Sequence, residues 1–140
     1  MARTDTAELL SRVPIFSELS KKELRGIAGA VKEVTHEQGS VLAREGESGI
    51  GFFLIVDGTA RAEVGGQTRT RMGPGDFFGE ISLLDGGPRT ATVVAETPLT
   101  TLGLTQWVFK TLIENNPSIA SKLLKVMAAR LRASSKDPTQ

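Results

Sequence analysis

The sequence predicts a mainly β fold with flanking helices: an antiparallel β-barrel or jelly roll, with N-terminal helices before it and two C-terminal helices after it. Three observations predict this. Apolar residues recur at a helical period towards both ends, short strand-forming runs fill the middle, and glycines punctuate those runs. A chain of 140 residues is long enough to bury one core, so residues 1–140 are expected to form a single domain.

The N-terminal helical section covers residues 1–31. Over 5–13, Ala7, Leu9, Leu10 and Val13 make a short apolar face, which Val13-Pro14-Ile15-Phe16 breaks. Ser20 followed by Glu23 is a capping box, opening a helix to about Val31 with Leu24, Ile27 and Ala28 inward. Residues 32–104 form the β section, with strand candidates at 32–35, 40–43, 51–56, 59–64, 67–72, 90–95 and 99–104. Gly65-Gly66 signals a two-residue hairpin, Asp57-Gly58 a turn, and Gly73-Pro74-Gly75-Asp76 a tight corner. Strands this short and this closely spaced suit a barrel or jelly roll, which closes or covers its edges.

The helical period returns over 105–133. Thr105 is a candidate cap for a helix holding Trp107, Val108, Phe109, Leu112 and Ile113. Asn115-Asn116-Pro117 ends it and starts the next, with Pro117 suited to a first turn. Ile119, Leu123, Val126, Met127, Arg130 and Leu131 then line one side of the last helix.

Composition narrows the function. The formal charge is +1, from 17 basic and 16 acidic residues, which argues against general attraction to nucleic acid or a membrane surface. With no cysteine there is no disulfide, thiolate metal site or cysteine nucleophile. His36 is the sole histidine, so no histidine cluster holds a metal, and a Ser–His–Asp device has no second candidate base. No phosphate-binding glycine loop with a lysine is present, and no catalytic residue is assigned. The start carries no secretory signal and the longest apolar run, 52–56, is too short for a bilayer, so a cytoplasmic soluble protein that is not an enzyme is expected.

One segment carries chemistry: Phe77-Phe78-Gly79-Glu80-Ile81-Ser82-Leu83-Leu84-Asp85-Gly86-Gly87-Pro88-Arg89-Thr90-Ala91-Thr92. Gly79 allows close approach of the main chain. Glu80 to Leu84 suit one helical turn whose first N–H groups face an anion. Arg89 offers a planar fork of donors to the same anion. Glu80, acceptor-only when ionised, needs a hydroxyl or a cation, and a ribose hydroxyl serves. Taken singly, Glu80 reads as a helix-terminal acid and Arg89 as a solvated charge; nine positions apart on one glycine-bounded loop they describe a phosphosugar ligand.

Residues 78–91 resemble the phosphate-binding cassette of the cyclic nucleotide-binding domains found in bacterial catabolite regulators, cyclic-nucleotide-dependent kinases and gated channels. The resemblance extends to Gly39-Ser40-Val41-Leu42-Ala43-Arg44-Glu45-Gly46-Glu47, Phe52-Phe53-Leu54-Ile55-Val56-Asp57-Gly58 and Gly73-Pro74-Gly75-Asp76-Phe77-Phe78, and covers residues 16–131. It implies a domain that binds a cyclic nucleotide and switches conformation, with cyclic AMP (cAMP) as the expected ligand, cyclic GMP (cGMP) open, and no metal. Glu80 would accept the ribose 2′-hydroxyl and Arg89 would pair with the phosphate. Gly79 and the N–H groups of Ile81, Ser82 and Ala91 would complete the cradle, and Thr90 would touch phosphate or base. Leu83 matches the hinge leucine, with Phe109 as its candidate partner, and Met127 and Arg130 are lid candidates over the base.

Catabolite regulators follow the last helix with a DNA-reading helix-turn-helix, whereas a short polar tail follows here, so DNA binding by this chain is not expected. Three readings stay open: a free-standing sensor signalling through a partner protein, the sensing fragment of a larger regulator, or a protein-interaction module of the same fold that no longer binds nucleotide.

Overall fold

The computed structural model describes residues 5–48 and 51–139. The extreme N-terminus read above as non-secretory lies largely outside the described residues. The chain divides into two compact units, Met1–Gly29 with Lys110–Gln140, and Ala30–Phe109.

In the first unit, α1 spans Thr6–Ser11, a 3-10 turn covers Pro14–Phe16, and α2 spans Lys21–Ala30. The α1 helix is shorter than the expected 5–13 because Asp5 caps it through its side chain and Pro14 stops it. The capping box forms at both ends: Glu23 N–H donates to Ser20 Oγ at 3.1 Å, and Ser20 N–H donates to Glu23 Oε1 at 2.8 Å. The last helix, α5, spans Pro117–Ser134 with Pro117 in its first turn. Leu10, Ile15, Phe16, Ile27 and Ile119 are buried to 1 % exposure or less.

One carboxylate joins α2 to α5. Glu23 Oε1 accepts from Lys122 Nζ at 2.6 Å, and Oε2 accepts from Ser118 Oγ at 2.5 Å. With Lys122, then Ser118 and Ser20, donating to it, Glu23 has its pKa held at about 2.

The second unit is two antiparallel four-stranded sheets, jelly-roll-like, with the helices of the chain at its two ends in sequence. The strands are β1 Lys32–His36, β2 Val41–Ala43, β3 Gly51–Asp57, β4 Ala60–Val64, β5 Gln67–Met72, β6 Phe77–Phe78, β7 Thr92–Ala95 and β8 Leu99–Thr105. One sheet runs β1-β8-β3-β6 and the other β2-β7-β4-β5. Both sheets supply the core: Ile55 and Leu99 from one meet Ala43, Ala60, Ala62, Met72, Val93 and Ala95 from the other. Small alanines on the second sheet leave room beneath it for Phe78 and Ala91, which pack against the same cluster.

Three details differ from the sequence reading or add to it. The two-residue strand β6 pairs Phe53 with Phe78 and Leu54 with Phe77, a length below what alternation in a sequence reveals. Residues Thr90 and Ala91 are not strand; β7 begins at Thr92, because the chain bends there to leave the cassette. Of the apolar residues named on the two C-terminal helices, Trp107 and Leu131 are outward, at 80 % and 68 % exposure. In α4 (Gln106–Asn115) Phe109 takes the inward position at 2 % exposure, and a residue two places earlier points to the opposite side of a helix.

Candidate functional site

The cassette folds as a short helix and a return loop. The helix α3, Glu80–Asp85, follows Gly79 as its N-cap, and its first intrahelical bond runs from Leu83 N–H to Gly79 C=O at 3.0 Å. The amides of Ile81 and Ser82 precede that bond, at the end of the helix where N–H groups face outward. Gly79 sits at φ +86°, and a Cβ there would collide with Arg89 Nη1 and the Gly51 carbonyl. Only glycine lets the arginine lie against this turn. Gly86 closes the helix in the left-handed conformation, sending its N–H to Ser82 C=O at 2.8 Å. Ser82 is buried at 4 % exposure and its Oγ donates to Gly87 C=O, so the turn is stitched from within.

Gly79, Glu80, Ile81, Ser82, Arg89, Thr90 and Ala91 all line one cavity of about 220 Å³, whose remaining wall is Ala43, Phe77, Phe78, Pro88 and Val93. Glu80 is half-buried, Thr90 exposed and Ala91 half-buried. Ile81 projects from α3 with 57 % of its surface exposed. The apolar wall comes from strands β2, β6 and β7, beside the inter-sheet core, and the polar residues come from the cassette alone.

Arg89 decides the character of the cavity. It is only 8 % exposed. Its Nη1 is buried with no hydrogen-bond partner. Burial pushes its pKa down from the usual guanidinium value, yet a guanidinium keeps its proton. A buried cation missing a partner is costly unless an anion meets it. The solvated-charge reading of Arg89 is therefore set aside by its burial. Its main chain is held on both sides: Gly46 N–H donates to Arg89 C=O at 2.9 Å, and Arg89 N–H donates to Glu47 C=O at 2.8 Å. The resemblance took in this loop through Gly39 to Glu47, but nothing in the sequence signalled that Gly46 and Glu47 would hold the main chain of Arg89.

The sequence model of the cyclic nucleotide-binding domain matches residues 33–116, which hold both sheets except Lys32, and the whole cassette. The chain belongs to the cyclic nucleotide-binding domain family. This cyclic nucleotide-binding domain is 36 % identical over 123 residues to a cyclic nucleotide-gated potassium channel from Mesorhizobium japonicum, covering 88 % of this chain and 34 % of the relative. It is 32 % identical over 130 residues to a CRP-like cAMP-activated global transcriptional regulator from Mycobacterium tuberculosis, covering 89 % and 58 %. The domain thus spans 34 % and 58 % of these two relatives. Among solved structures, the N-terminal domain of a transcriptional regulator from Streptomyces coelicolor superposes with a TM-score of 0.82 at 30 % identity, covering 90 % of this chain and 92 % of that one. The regulatory domain of Toxoplasma gondii PKA with cAMP gives 0.69 at 29 % identity, covering 76 % and 42 %. These relatives are regulators and a channel rather than enzymes.

The other residues singled out in this domain lie as follows. Leu83 and Phe109 are buried at 1 % and 2 % exposure. Met127 and Arg130 are half-buried on α5, in the other unit. His36 lies on β1, where Nε2 shares a hydrogen bond with the buried Thr101 hydroxyl at 3.0 Å, and burial lowers its pKa. It does not line the cavity. Among the described residues no group of three or more His, Asp or Glu is placed to hold a metal, and no helix is long and apolar enough to cross a membrane.

Proposed function

We propose that this domain is a sensor that binds cAMP in the cassette cavity and changes conformation when it does. The single observation that carries the reading is Arg89: a buried cation whose Nη1 lacks a partner, lining a cavity with Glu80. A cyclic phosphate supplies one negative charge and the oxygens a guanidinium fork takes. Glu80, on the same wall, accepts the ribose 2′-hydroxyl, and the amides of Ile81, Ser82 and Ala91 complete the phosphate cradle beside Gly79. The cavity is smaller than the roughly 300–1,000 Å³ of drug-sized sites, which suits a sugar phosphate with the base projecting outward. Thr90, exposed on the cavity wall, would contact phosphate or base, so cGMP is the competitor to measure.

Closure of the cassette on the phosphate would move Leu83 against Phe109 and bring Met127 and Arg130 over the base, with residues 1–140 acting as one sensing domain in the cytoplasm. The ligand drives this only through its differential affinity for the two states. The output passes to an effector partner. The test is calorimetry and thermal shift with cAMP, cGMP and 5′-AMP on the wild type, Arg89→Ala and Glu80→Ala. Binding of a cyclic nucleotide by the wild type, lost in both variants with the fold retained, is expected. No rise in midpoint with any cyclic nucleotide would leave the interaction-module reading in its place.

A further inference from the structure

Arg89 lies in the irregular segment between α3 and β7, so neither a helix nor a ladder fixes its main chain. Residues 45–48 do so instead. Besides the paired bonds of Gly46 and Glu47 to Arg89, Ser48 bridges Pro88 one position earlier. Gly46 makes its bond from φ +83°, a conformation a side chain disfavours. The clamp is itself anchored by Glu45 at two points. Glu45 N–H donates to Thr92 Oγ1 at 3.0 Å, at the head of β7. Its carboxylate Oε1 accepts from Gly65 N–H at 3.0 Å, at the β4–β5 hairpin. None of these clamp residues lines the cavity.

We infer that Glu45 and Gly46 are positioning residues for ligand recognition: they aim the Arg89 fork through its main chain and tie its placement to the β4–β5 hairpin. The inference rests on the reading of Arg89 as the phosphate-binding group. A fork recognises an anion by direction as well as by charge, so a small rotation of its backbone weakens binding without removing the cation. Glu45 reaches Gly65 across the sequence, so the tip of a surface hairpin becomes a place from which affinity can be adjusted.

The test compares Glu45→Ala, Glu45→Gln and Gly46→Ala. Two readouts are taken: cAMP affinity by calorimetry, and the Arg89 Nε–Hε resonance in nitrogen-15 spectra, assigned by its loss in Arg89→Ala. Expected is a loss of affinity of about three- to tenfold in Glu45→Ala and Gly46→Ala, with the Arg89 resonance moved in both. Glu45→Gln, which keeps an oxygen for Gly65 N–H, should retain wild-type values. An unmoved resonance in Glu45→Ala and Gly46→Ala, or a Gln variant as impaired as the Ala variant, overturns the inference. A moved resonance with unchanged affinity does so too where Arg89→Ala itself loses binding. If Arg89→Ala binds as the wild type does, it is the site assignment that fails, and the inference falls with it.

Discussion

Glu23 and Arg89 are both charges withdrawn from water, and they are treated in opposite ways. Glu23, in the helical unit, receives Lys122, Ser118 and the Ser20 amide, and its pKa falls to about 2 because every lone pair that matters is met. Arg89, in the β unit, is more deeply buried, its pKa falls through desolvation, and Nη1 has no hydrogen-bond partner. The first charge is completed by the chain and serves the fold. The second is left incomplete by the chain, which is what a binding group for an external anion requires. Burial alone does not separate the two roles; satisfaction does.

The largest expected effect breaks the comparison at Arg89. Arg89→Ala should weaken cAMP binding by at least about thirtyfold, the lower end of the 2–5 kcal/mol expected for truncating one partner of a buried charge pair. The unliganded protein should not lose melting temperature, since an uncompensated buried charge is removed with it. A clear fall in the ligand-free midpoint would show Arg89 to be structural.

Glu23→Ala should do the reverse. It removes the partner of Lys122 and Ser118 and the half of the capping box in which Ser20 N–H donates to the Glu23 carboxylate, so a loss of about 1–3 kcal/mol in unfolding free energy is expected, read by denaturant titration, with nucleotide affinity retained when the protein is folded.

The pH dependence sharpens the same point. The folded pKa of Glu23 lies below its ordinary 4.5, so its contribution to stability is complete above about pH 4.5 and drains away as pH falls through about 2. The stability gap between wild type and Glu23→Gln should therefore be constant near neutrality and narrow across that acid window. A gap that does not change with pH would mean that the carboxylate charge is not what joins α2 to α5.

The smallest effect separates the two partners. Ser118→Ala should cost less than Lys122→Met, because Lys122 is the leading cause of the depressed pKa and Ser118 the second; thermal melts in parallel decide the order.

Local features were legible because they depend on neighbours in sequence. The Ser20–Glu23 box, Pro117 at a first turn, the Gly65-Gly66 hairpin joining Val64 to Gln67 and the glycine-bounded turn of the cassette each follow from a few adjacent residues. Exposure on the helices was read less well. Leu124 and Leu131 are outward at 71 % and 68 % exposure while Leu123 is buried, because an apolar pattern shows that a helix has a face without showing how far around it the cover extends.

By itself the sequence determined most of the element types and the turns, and it grouped the cassette residues as a candidate site for a sugar phosphate, since propensity, capping and donor chemistry act over a few positions. Only the tertiary structure decided the strand orders β1-β8-β3-β6 and β2-β7-β4-β5, the pairing of Glu23 with Lys122, and the clamp of residues 45–48 on Arg89. Each of those joins segments far apart along the chain. Whether a buried charge finds its partner depends on what the whole fold brings beside it.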